Sequence, residues 1–140
     1  MSPIEPSRTP DLSPIGGKFF RSPERFVSWQ FDKGLDIPRC QFGLWGLRSH
    51  LRSADDKPTK RMMPMDTLTK ISTGRSIRIA EGHHGLIVAA PDLVALGFWM
   101  PAPMLIPPDL WTILDLSIFN GSRATAFMQD DTLLAHLLVI

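Results

Sequence analysis

The chain has no tyrosine and a single cysteine, Cys40, and only one cation, Arg123, follows Arg78. Each scarcity excludes something. A lone cysteine closes no internal disulfide, so stability rests on packing, and a reducing, cytoplasmic setting is expected. Without basic residues after the apolar centre, nothing orients a membrane span. No zinc knuckle, RNP-type aromatic motif or glycine-rich phosphate loop is present, and no complete catalytic or metal-binding signature. The opening MSPIEPSRTPDLSP lacks an apolar run and is not expected to be a secretory signal. No internal repeat is visible.

What is there is an apolar centre. Leu86 to Phe119 carries charge only at Asp92, Asp109 and Asp115. Pro91, Pro101 and Pro103 interrupt it, so burial in a core is expected rather than membrane insertion. Thirteen prolines exclude long helices, while four tryptophans and eight phenylalanines supply large core side chains. At 140 residues the chain has the length of one ordinary domain.

Residues 1–17, with Pro3, Pro6, Pro10 and Pro14, read as a flexible proline-rich arm, and 18–140 as a single domain. Ser22-Pro23-Glu24 has the form of a helix start, with Phe26, Trp29 and Phe31 turned inward. CQFGLWGLRSHLRSA, from Cys40, fits helical spacing and ends in Arg48, His50 and Arg52, as suits a helix C-terminus. Asp66 would cap a short helix over 66–72. Residues 76–80 and 86–90 alternate as two strands of a hairpin, with Glu81 to Gly85 as the turn. A short buried helix is expected over 92–99 and another over 110–119, the latter begun by Pro107-Pro108-Asp109. Residues 123–128 and 132–140 read as a second hairpin around Gln129-Asp130-Asp131. The predicted class is α+β: antiparallel hairpins at 76–90 and 123–140 with short helices packed on them.

Charge divides the chain. Met1 to Arg78 holds fourteen of the fifteen cations against eight acids, net +6, and the remainder one cation against six acids, net −5. Either the halves complement one another, or Lys57, Lys60, Arg61, Lys70, Arg75 and Arg78 share a face for an acidic partner. Met62, with Met63 and Met65, and Trp99, with Met100 and Met104, are candidate adaptable contact surfaces, or core.

Three features invite chemistry. His83-His84 beside Glu81 would face one ion only if the turn aligned both rings, and His50 and His136 reach them only through the fold. Cys40 has Arg39 adjacent, which favours thiolate, but no nucleophile signature surrounds it. Asp130-Asp131 is a carboxylate pair that turn chemistry explains equally well.

From these residues no catalytic residue, metal or cofactor is assigned. The expected function is a small non-enzymatic accessory or regulatory protein, an inhibitor or an oligomeric docking module. It would bind a protein partner, or its own copy, through Met62, Trp99 and Met104 or through the basic residues. The alternatives are a nucleic-acid binder using 48–78 and a small metal-dependent or hydrolytic enzyme centred on His83 and His84. No membrane partner is expected.

Overall fold

Alternation, not helical spacing, governs this chain. In Leu44–Arg48 the buried side chains are Trp45 and Leu47; in Thr112–Asn120 they are Leu114, Leu116, Ile118 and Asn120. A period of two sends such residues to one face of a sheet. The computed structural model describes residues 23–140. The predicted arm at 1–17 and the Ser22 cap lie outside the described residues.

A single 3-10 turn, Pro23–Phe26, leads into β1 (Val27–Phe31), β2 (Cys40–Gln41), β3 (Leu44–Arg48), β4 (Lys60–Met63), β5 (Leu68–Ile79) and β6 (Gly85–Ala89). After α1 (Pro91–Ala95) come β7 (Phe98–Trp99), β8 (Met104–Ile106), β9 (Thr112–Asn120), β10 (Ala126–Gln129) and β11 (Leu133–Val139). Three antiparallel sheets result, in the orders β1-β5-β9-β7, β2-β3-β11-β6-β8 and β10-β4. Buried residues of all three form one cluster, and the Trp29 and Trp45 rings meet 6.2 Å apart between the two larger sheets. Each fully buried Ile or Leu contributes about 1.5–3 kcal/mol to this sandwich. No helix among the described residues is long and apolar enough to cross a membrane.

The α+β expectation is therefore corrected to a nearly all-β fold, and the reasons are local. Phe42 and Gly43 both have positive φ, 53° and 78°, which makes the two-residue turn that folds β2 onto β3 where a helix was expected. Asp66, read as a cap, is also left-handed and donates its N–H to the Asn120 carbonyl at 2.9 Å, leading directly into β5. Asp109 has φ 59° and donates to the Ile79 carbonyl at 2.7 Å, so Pro107-Pro108-Asp109 is a turn before β9 rather than a helix start. Only the expected helix at 92–99 persists, as the single turn-and-a-half of α1 with Leu93 buried.

The hairpins are corrected as well. Strands occupy the expected positions, but β5 and β6 belong to different sheets, and β10 pairs with β4 while β11 pairs with β3 and β6. The Ala80–His84 connection, with Gly82 at φ 88°, carries the chain from one layer to the other.

One irregularity in β5 positions the functional surface. Its register with β9 shifts between Ser72 and Ser76, where Gly74 takes φ 68° and the buried Thr73 Oγ1 donates to the Leu114 carbonyl at 2.8 Å. The carbonyls of Ser72 and Gly74 are thereby released to accept from the N–H groups of His50 (2.8 Å) and Asp32 (2.9 Å). A Cβ on Gly74 would sit 2.6 Å from Leu35 Cδ1 and 2.8 Å from His50 Cδ2, so the bulge admits no side chain.

Candidate functional site

The alternation that buries Trp45 and Leu47 turns Leu44, Gly46 and Arg48 outward, and pairing with β2 sets Gln41 beside Leu44. On the other flank His136 lies opposite Gly46. Because Gly46 has no side chain, this surface is concave there, and a Cβ would lie 3.2 Å from Leu133 Cδ1. The result is an open cleft of about 590 Å³. Its walls carry Arg39, Arg48, Arg52 and Arg75, His50 and His136, with Asp130 and Asp131 at one end and Phe42 at the other.

The far wall, residues 35–39, is held by Arg75. Its Nε and Nη2 both donate to the Asp36 carbonyl, at 3.0 and 2.9 Å, and Nη1 donates to the Thr73 carbonyl at 3.3 Å. Burial pulls the Arg75 pKa below its ordinary value, and the nearby Asp131 and Asp36 carboxylates oppose that shift. The group stays a cation throughout the physiological range.

The acidic end is tied down in detail. Buried Ser49 donates through Oγ to the Gln129 carbonyl at 2.7 Å and accepts from the Thr132 N–H at 2.9 Å. Asp130 Oδ1 accepts from the Leu51 N–H at 2.8 Å, and its Oδ2 lies 3.5 Å from Arg52. Arg48 donates to the Asp131 carbonyl at 2.9 Å but is 4.0 Å from its carboxylate, which stays mostly in solvent. The Arg39 side chain has no partner among the described residues. Four guanidiniums thus face two carboxylates, and anionic oxygens entering the cleft meet charge-assisted donors.

The residues singled out from the sequence are dispersed. Lys57 is exposed in the loop before β4. Lys60, Arg61 and Met62 lie on β4, the Lys60 ammonium 4.6 Å over the Phe127 ring and Met62 open to solvent. Lys70 and Arg78 sit near opposite ends of β5, Arg78 paired with Asp109. Trp99 stacks on Phe119 at 5.3 Å, and Met104 packs half-buried against the core. Of all nine, only Arg75 lines the cleft.

His83 stacks on Phe26 at 3.8 Å, and His84 pairs through its backbone with Ile140. Among the described residues no group of three or more His, Cys, Asp or Glu side chains is placed to hold a metal. Cys40 is half-buried opposite Trp45 and packs against the core. Sequence reasoning missed Arg39, Arg48, Arg52 and Phe42 as members of one site. The Phe42-Gly43 pair, read as a two-residue turn, was the signal that would have gathered them.

No protein-family model and no curated protein matches the chain in sequence. Solved structures do match in fold. The dUTPase of Staphylococcus bacteriophage 80alpha superposes with a TM-score of 0.67 at 11% identity, covering 83% of this chain and 90% of its own. The dUTPase from phage phi11 of S. aureus gives 0.66 at 12%, covering 81% and 88%. EIAV dUTPase gives 0.64 at 12%, covering 81% and 87%. These likenesses overturn the expectation of a non-enzymatic accessory, regulatory or inhibitory module: the fold is that of solved dUTPases.

Proposed function

We propose that the protein is an enzyme of the dUTPase kind that binds a deoxyribonucleoside triphosphate in the β2–β3–β11 cleft and hydrolyses it. The observation that carries this reading is the convergence of Arg39, Arg48, Arg52 and Arg75 on one concave surface of a dUTPase-like fold. Phosphoryl transfer asks little of a protein beyond positioning and charge. Arg48 and Arg52 hold the phosphate oxygens at the end fixed by Ser49. The exposed Asp131 carboxylate accepts the proton of a water that attacks phosphorus as the bond to the leaving phosphate breaks. One solved phi11 enzyme is described as coordinating a structural Mg(II) ion. Among the described residues here, no group of three or more His, Cys, Asp or Glu side chains is placed to hold one.

Phosphate or pyrophosphate release from dUTP, dCTP, dTTP and dATP tests the reading, alongside calorimetric binding. Turnover should fall about 10- to 100-fold in Arg52→Ala, since one preorganised donor of transition-state charge is lost. Neither release nor binding with any of the four nucleotides would overturn it.

Self-association belongs with this proposal. Leu138, Leu86 and Leu105 stand in register across β11, β6 and β8 with Leu105 exposed, an apolar row suited to a second copy. Sedimentation equilibrium showing a monomer at all concentrations would remove this part.

A further inference from the structure

Phe42 is anomalous twice over. Among the described residues five non-glycine positions have positive φ, and four of them are aspartates, a residue type that tolerates this conformation; the fifth is Phe42, at 53°. The residue is also 99% exposed, above every other exposed large hydrophobic residue described, of which Ile113 at 68% is next. Asparagine followed by glycine is the pair that a two-residue turn of this type prefers. Here the turn reads Phe42-Gly43, with nothing within 4 Å of the space a Gly43 side chain would occupy. Neither the turn nor the core therefore explains an aromatic ring at this position.

The cleft does. Phe42 stands at its rim, and the outward residues of β3 run from Leu44, beside that ring, over Gly46 to Arg48. Leu44 to Arg48 spans roughly 13 Å at the rise of a strand. An extended nucleotide reaches about as far from its base to its terminal phosphate. One end of the cleft is thus aromatic and aliphatic, the other cationic, with a side-chain-free floor between them.

Building on the nucleotide reading above, we propose that Phe42 is a base-stacking residue: its ring covers the nucleobase while Arg48 and Arg52 hold the phosphates. Stacking on a flat ring tolerates any base, so Phe42 contributes affinity for nucleotides as a class, and choice among bases falls to the polar groups beside it, Gln41 and Arg39.

The test compares dUTP with inorganic tripolyphosphate, which has the charge but no base, on the full chain with Phe42→Asn and Phe42→Trp. In Phe42→Asn, dUTP affinity should fall about tenfold, in the range that base–aromatic stacking supplies, with tripolyphosphate affinity unchanged. Its melting temperature should hold or rise, because asparagine suits the turn. Phe42→Trp should keep dUTP affinity and show indole fluorescence quenched by dUTP but not by tripolyphosphate. Unchanged dUTP affinity in Phe42→Asn would overturn the assignment while leaving the nucleotide site in place. Equal weakening of both ligands would overturn it too, as would loss of self-association with affinity intact, which would make Phe42 a contact between copies. Wild-type protein that binds no nucleotide, whether or not it binds tripolyphosphate, would remove the nucleotide reading and the stacking role together.

Discussion

Two turns bound the cleft, and they are built on opposite principles. The Gln129–Thr132 turn is stapled to residues 48–52 through both atoms of the buried Ser49 hydroxyl and the Asp130 carboxylate, and is closed on itself by the Thr132 Oγ1 bond to the Gln129 carbonyl at 2.8 Å. The Phe42-Gly43 turn has only the short β2–β3 ladder behind it and carries an exposed ring in a conformation aromatic residues rarely adopt. One turn spends polar side chains on holding its own backbone still; the other gives up local stability. The difference teaches where precision is needed. On the proposed reading, charges that meet a phosphate must not shift, because Coulomb energies in a partly dry site change steeply with distance, whereas a ring stacked on a base tolerates small displacements.

The largest effect on this contrast should come from Ser49→Ala. It strands the Thr132 N–H and takes one of two donors from the Gln129 carbonyl, which keeps the Thr132 Oγ1 bond, and should cost about 2–3 kcal/mol in urea unfolding. Asp130→Ala frees the Leu51 N–H and leaves Arg52 without its counter-charge; a loss of about 1.5–3 kcal/mol is expected, again by equilibrium unfolding. Arg75→Lys keeps the charge but cannot place two donors on the Asp36 carbonyl, so about 1 kcal/mol should be lost and the 35–39 wall should show faster amide exchange. Phe42→Asn runs the other way, gaining about 0.5–1 kcal/mol by relieving a strained aromatic position. Arg48→Ala should lie within about 0.5 kcal/mol of wild type in stability, both partners of its ion pair being largely exposed, while reducing nucleotide turnover. If Ser49→Ala and Phe42→Asn proved equally neutral, the two turns would not differ as described.

Much of the local structure was legible in the sequence, and little of the pairing. The strands at 76–80, 86–90, 123–128 and 132–140 announce themselves by β-branched and alternating residues. What they pair with depends on segments far away: Ala126 finds Met63, and Leu137 finds both Trp45 and Ile87. Short-range alternation carries no record of that choice. The misread helices share another cause. Asp66 and Asp109 are the residues a helix start would use, yet they serve left-handed turns, which favour aspartate for its local hydrogen bonding. Leu114, Leu116 and Ile118 alternate as in a strand and are all buried on one face of β9, while Pro107 and Pro108 before them serve a turn and not a helix start.

The cleft was less legible still. His50 and His136 were recognisable only as residues that folding would have to bring near, and they do line one surface. Arg48 and Arg52 looked like the basic end of a helix until β3 was seen to be a strand. The charge division misled in a specific way: it drew attention to Lys57, Lys60 and Arg61 because they are adjacent in sequence, whereas the clustered guanidiniums come from β3, the loops flanking it and the β5 bulge. Asn120, fully buried, was not singled out at all. Its Nδ2 donates to the carbonyls of Met63 (2.7 Å) and Ala124 (3.0 Å), joining β4 to the end of β9.

The floor of the cleft is the β3–β11 ladder, and Arg48 meets the Asp131 carbonyl across 83 positions of sequence. Contacts of such separation form slowly, since the loop between them must close before they contribute. A ligand seated there clasps both segments together, and by mass action it favours the finished state. On the proposed nucleotide reading, unfolding should accordingly be slower in the presence of nucleotide than in its absence.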